Sequence, residues 1–213
     1  MITVLNFQDL PNIDTSKSPF LYQLGSQREA ALTSFNQVLE RAEGSLYFSA
    51  KFHGENKVNT KKFLLRAAMY EFVSIEEVIS RDLESNNINS KPLKIINTNN
   101  PLFHTIKQLR NYNIHLGSTD ITYTELRKKV FGMIEQFENG KGYEYEDNEP
   151  IISNLNVTEF NKLKDANKYS DKDKLSMVEW FNLNQRIWGV NHLVYRATQL
   201  YCDKIIEAYN LRI

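Results

Sequence analysis

From Trp180 onward an apolar side chain returns every three or four residues: Trp180, Leu183, Ile187, Val190, Val194, Ala197, Tyr201, Ile205 and Ala208. That step is the α-helical period, and it cannot be laid on a strand, where residues of one face recur every second position. The stripe reads as one long amphipathic helix, or as two in line broken near Gly189, and it needs other apolar faces to cover it. Those faces are present. Phe63, Leu64, Ala67, Ala68, Phe72, Ile75, Ile79 and Leu83 keep the same spacing and predict a helix over 60–83. Ala30, Ala31, Phe35, Val38, Leu39 and Ala42 predict another that begins at Ser26 and ends with Gly44 as its C-cap. The expected fold class is therefore mainly α, with long C-terminal helices.

Between these stripes the pattern is more varied. Pro101 can open a helix at its first position, followed by Leu102, Ile106, Leu109 and Tyr112 and stopped by Gly117. Thr122 and Glu125 form a capping-box pattern that predicts a helix with Leu126, Val130, Met133, Ile134 and Phe137 on its inner side. A short helix is expected near 158–167. One run departs from the helical period: Leu46, Phe48, Ala50 and Phe52 alternate with Tyr47, Ser49, Lys51 and His53. It reads as a small strand or hairpin paired with residues 93–96, or as an extended connection lying on the helices. Residues 1–24, with Pro11 and Pro19, and the Asn- and Ser-rich stretch 84–100 are expected to be irregular. Gly140, Gly142, Pro150 and the acids Glu144, Glu146, Asp147 and Glu149 mark 140–157 as an acidic loop or linker. The organisation expected is a helical domain over 1–139, that linker, and C-terminal helices over 158–213 packing on the same bundle.

The chain has 213 residues, 41% of them hydrophobic, enough for one good core or two small ones. Its 26 basic and 26 acidic side chains balance, which excludes a global field that attracts nucleic acid; any such role needs a local basic patch. The single cysteine, Cys202, rules out an intrachain disulfide and fits a reducing compartment. No apolar run approaches a membrane span, and the N-terminus lacks a signal-peptide core, so a soluble cytoplasmic protein is expected. There is no His/Cys/Asp/Glu set with metal-ligand spacing, no glycine-rich phosphate loop and no serine elbow, so neither metal nor cofactor is expected.

The chemistry concentrates in the predicted helix after Pro101. Arg110 is followed by Asn111 and, after three more residues, by His115. Arginine offers a permanently charged fork suited to phosphate, and histidine titrates nearest to working pH. Together they are what phosphodiester cleavage without a metal needs. Asn111 and His115 are four apart and share a helix face. Arg110 lies about 140° round a regular helix from His115, at about 100° per residue. The two converge on one phosphate only if the last turn loosens or if a second copy supplies the missing half. Bare spacing is weak, since Arg186 and His192 satisfy it too; those two read as structural, and His104 as a surface or capping residue. Lys107 and the run Arg127, Lys128 and Lys129 flank the motif as candidate contacts to an RNA backbone, with Lys61, Lys62 and Arg66 a further basic cluster. Trp180 and Trp188 read as core.

Residues 109–115, Leu-Arg-Asn-Tyr-Asn-Ile-His, resemble the signature of the HEPN superfamily, the higher eukaryotic and prokaryotic nucleotide-binding helical domains. The resemblance implies an antiparallel helical bundle, HEPN-like, that dimerises so that two motifs face one cleft. It implies that Arg110 and His115 are catalytic, that Asn111 supports them, and that RNA is cut without a metal. Many members belong to toxin–antitoxin, abortive-infection or other antiphage systems, which implies an antitoxin or regulatory protein as partner. One nucleotidyltransferase-paired branch carries a tyrosine two positions after the histidine, where this chain has Gly117. Some members have lost catalysis, leaving a non-catalytic module that binds RNA, nucleotide or protein.

Overall fold

A computed structural model describes residues 4–8, 22–115, 120–125, 127–131 and 143–209. The chain is mainly α, as the stripes require. Helices α1 (Ser26–Ala31), α2 (Asn36–Gly54), α3 (Val58–Ser85) and α4 (Pro101–His115) lead into short strands β1 (Ile121–Tyr123), β2 (Arg127–Phe131), β3 (Tyr143–Asp147) and β4 (Pro150–Ile152). Helices α5 (Val157–Asn161), α6 (Asp171–Trp188) and α7 (Val190–Ala208) complete it. The core is built by α2, α3, α4 and α7, with Phe181 of α6 and Ile121 and Ile152 of the strands joining it. At its centre Phe72, Phe103 and Tyr201 meet with ring centroids 5.3 to 5.9 Å apart, and the Tyr201 hydroxyl donates to the Leu93 carbonyl. A second, smaller cluster gathers Leu5, Phe160, Leu163, Tyr169, Met177 and Val178 beneath the first half of α6. Cys202 is buried in α7, and burial pushes its thiol up to about 12.

The span of helix α3 and the start of α4 at Pro101 follow the reading of the sequence. So does the interruption at Gly189, whose φ of 81° ends α6 and opens α7. Several expectations are corrected. Phe63, expected on the inward stripe of α3, is 64% exposed. The alternating run 46–53 is neither strand nor extended connection; it is the second half of α2, and residues 93–96, its expected partner, lie in 3-10 turns. The buried residues of α2 are Val38, Ala42, Ser45, Leu46, Ser49 and Phe52, a helical stripe in which Ser45 and Leu46 sit side by side. Two of them are serines, which hides the stripe: the Ser45 hydroxyl donates to the Ala68 carbonyl and meets Thr198 Oγ1 at 2.9 Å. Gly44 is not a C-cap either. It lies inside α2 where α3 comes close, since a Cβ there would stand 3.2 Å from Glu71 Cγ.

The capping-box pattern at Thr122 starts no helix, because residues 121–123 pair with 150–152 as an antiparallel ribbon. Of the inner residues expected there, Val130 is in β2, while Leu126, Met133, Ile134 and Phe137 lie outside the described residues, as do Pro11, Pro19, Gly117, Gly140 and Gly142. The acidic segment 140–157 holds β3 and β4, and Ile152 is buried in the main core. Gln185 Oε1 accepts from the Ile152 amide and Gln185 Nε2 donates to its carbonyl, which fastens β4 to α6. That polar contact also turns α6. Asn184 and Gln185 face inward, while Leu183 and Ile187, expected inside, are 61% and 46% exposed. Helix α6 begins well before the apolar stripe, capped by Ser170, whose hydroxyl accepts from the Asp173 amide. Among the described residues no helix is long and apolar enough to cross a membrane.

Candidate functional site

Helix α3 positions the motif helix. Lys107 Nζ lies 2.5 Å from Glu76 Oε2, Arg110 Nη2 lies 2.9 Å from Glu77 Oε1, and beyond the end of α4 Asp120 pairs with Lys62 at 2.9 Å. The chain therefore descends antiparallel to α3, and the last turns of α4 lie against the stretch of α3 between Lys62 and Glu77.

Arg110 is held on three sides. Glu77 and Asn111 Oδ1, at 3.1 Å, accept from its two terminal nitrogens, and its guanidinium carbon stands 5.6 Å from the centre of the Tyr70 ring. Its side chain is 16% exposed, and Nε is buried without a hydrogen-bond partner among the described residues. Asn111, expected to share a face with His115, is here engaged with Arg110. Helix α4 remains regular to His115, its last residue. The His115 side chain lies outside the described residues. The regular helix leaves the Arg110 and His115 backbone positions about 140° apart, so the last turn does not loosen before His115.

The other expected contacts fall differently. Lys107 neutralises Glu76, a buried carboxylate whose second oxygen accepts from the Ile95 amide. That pair fastens the turn before α4 to α3. Arg127, Lys128 and Lys129 sit in β2, where the register sets them opposite Asp147, Glu146 and Tyr145 of β3; their side chains lie outside the described residues. Lys61 is buried between the rings of Phe52 and Tyr123, at 4.9 and 5.2 Å. Arg66 stacks over the exposed ring of Phe63, 5.8 Å from its centre.

His104 is neither a surface residue nor a helix cap; it is fully buried. Its Nε2 lies 3.0 Å from the Thr98 carbonyl, which can only accept, so Nε2 carries the proton and Nδ1 accepts from the Tyr169 hydroxyl at 2.9 Å. Burial holds the ring neutral, with its pKa lowered to about 4. Gln108 Nε2 continues the chain toward the Tyr169 oxygen at 3.5 Å. Gln108 and Tyr112 line a small cleft with Leu155, Glu159 and Phe160, on the side of α4 away from Arg110. His192 packs against Tyr22 and Tyr195, with ring centres 5.8 and 5.5 Å away. Trp180 and Trp188 are partly buried against the main core.

Reading the sequence alone missed Tyr70 and Glu77. They share the outer face of α3, seven residues apart, but nothing in a linear sequence says that Arg110 lands between them. Among the described residues no group of three or more His, Cys, Asp and Glu side chains is placed to hold a metal ion. Comparison with protein-family models, curated proteins and solved structures finds no match to the chain.

Proposed function

We propose that the protein is a metal-independent endoribonuclease of HEPN type that acts as a homodimer, in the manner of a toxin or antiphage effector restrained by an antitoxin or regulatory protein. The observation that carries this reading is the setting of Arg110: an arginine ordered by Glu77, Asn111 and Tyr70 on the helix that ends at His115. In the proposed reaction His115 removes the proton of a ribose 2′-hydroxyl. The 2′-oxygen then attacks the adjacent phosphorus, the bond from phosphorus to the 5′-oxygen breaks, and protonated His115 returns its proton to that oxygen, giving a 2′,3′-cyclic phosphate and a 5′-hydroxyl end. Arg110 offsets the charge that grows on the phosphate oxygens, and Asn111 keeps its fork in place. Glu77 is 59% exposed, so its pair with Arg110 is of the weak surface kind that an incoming phosphate can displace. The angular separation within α4 supports the dimer, because two copies can bring Arg110 of one protomer to His115 of its partner.

A second reading is favoured by the same ion pair. If Glu77 holds Arg110 permanently, the protein is a non-catalytic helical module that binds RNA, a nucleotide or a protein. End-group analysis of incubated RNA separates the two. New 2′,3′-cyclic phosphate ends, formed in chelator and lost in His115→Ala, are expected for the ribonuclease; intact RNA leaves the module.

A further inference from the structure

We propose that the outer face of α3 formed by Phe63, Arg66 and Tyr70 binds single-stranded RNA, laid alongside the motif helix and leading into it. Phe63 is 64% and Tyr70 48% exposed, on a helix whose other large apolar side chains are mostly buried. They are seven residues apart, so they lie on one face about 10 Å apart along the axis, at about 1.5 Å per residue. Each ring carries a guanidinium over it, Arg66 on Phe63 and Arg110 on Tyr70. The Nε of both arginines is buried without a partner among the described residues. The ion pair between Lys62 and Asp120, where the chain emerges from the motif, marks the same end of α3. The face is therefore continuous with the site that holds Arg110.

The occupant follows from the chemistry. Exposed rings interleaved with arginines suit unstacked bases joined by phosphates: the bases stack on the rings, one phosphate supplies an anion to Arg66, and another displaces the exposed Glu77 carboxylate from Arg110. Duplex RNA keeps its bases inside and offers little to the rings. A second copy of the chain on this strip would instead bring like cations together at a desolvation cost, and the nearby carboxylates, Glu77 and Asp120, are already paired with Arg110 and Lys62. The assignment of RNA rests on the ribonuclease reading of the neighbouring motif.

The test measures anisotropy of a short fluorescein-labelled polyuridine, in a His115→Ala background so that the probe stays intact. Phe63→Ala should weaken binding by at least about fivefold, as loss of one stacking ring does, while Phe63→Tyr keeps it. Arg66→Gln should weaken binding and lower the slope against salt by about 0.7, one phosphate contact on a single strand. Melting curves and sedimentation should match the parent. The proposal is overturned if the parent does not bind the probe, if a duplex of the same length binds as well, or if Phe63→Ala binds normally. It is also overturned if Phe63→Ala changes the oligomeric mass but not RNA binding, which makes the face a subunit contact. Normal RNA cleavage by Phe63→Ala with unchanged binding removes this proposal and spares the ribonuclease reading. Binding lost in Phe63→Ala, from a protein whose wild type cuts nothing, does the reverse.

Discussion

Arg110 is the residue on which the alternatives turn, because its guanidinium has one carboxylate, one amide and one aromatic face around it. Glu77→Gln separates a working cation from a structural one. If phosphate must displace Glu77, the variant should bind and cut RNA faster; if the pair is structural, the variant should only lower the melting temperature slightly, as surface pairs do. His115→Ala should lower cleavage by about a hundredfold to ten-thousandfold with an unchanged melting curve. Arg110→Ala should be comparable, and Arg110→Lys a partial rescue, since an ammonium lacks the planar fork. His104 offers a stability test. Its folded pKa of about 4 lies below the ordinary histidine value of 6.5, so below pH 6.5 the unfolded chain takes up a proton that the folded one refuses. Its contribution is complete above pH 6.5 and falls as the pH drops toward 4, by on the order of 3 kcal/mol at the limit. Urea midpoints measured across this window should show that slope in the wild type and a shallower one in His104→Gln.

At the scale of elements, Gly189 decides how the C-terminal stripe is used. Its φ is 81°, and a Cβ placed on it would meet Glu149 Oε2 at 2.5 Å. Gly189→Ala should therefore lower stability by about 1–3 kcal/mol, measured as a shifted denaturant midpoint with an unchanged m-value. The errors in reading elements share one cause. In α2 the inward positions include Ser45 and Ser49, so the helical stripe was broken by polar residues whose partner, for Ser45, is on α7. In α6 Gln185 turns inward to bond β4, and Leu183 and Ile187 rotate out. At Thr122 a local helix-start pattern lost to pairing with residues nearly thirty positions away. In each case a tertiary contact overrode the local pattern.

For the whole molecule, assembly is the property with most bearing on function. The protein should be a dimer with the Arg110–His115 ends of two protomers close together, and a strictly monomeric mass by light scattering at tens of micromolar, about the range where weak dimers persist, would count against it. The sequence by itself determined the mainly α class, the span of α3, the start of α4 and the break at Gly189, because helical period, Pro at a first turn and a φ-permissive glycine are local properties. It also marked Arg110, Asn111 and His115 as a group, because they share one helix. Only the tertiary structure decided that Glu77 and Tyr70 hold Arg110, that Glu76 takes Lys107, and that His104 is buried and neutral. Those contacts join segments tens of residues apart, and burial and pairing are set by which helices meet, not by what stands next in the chain.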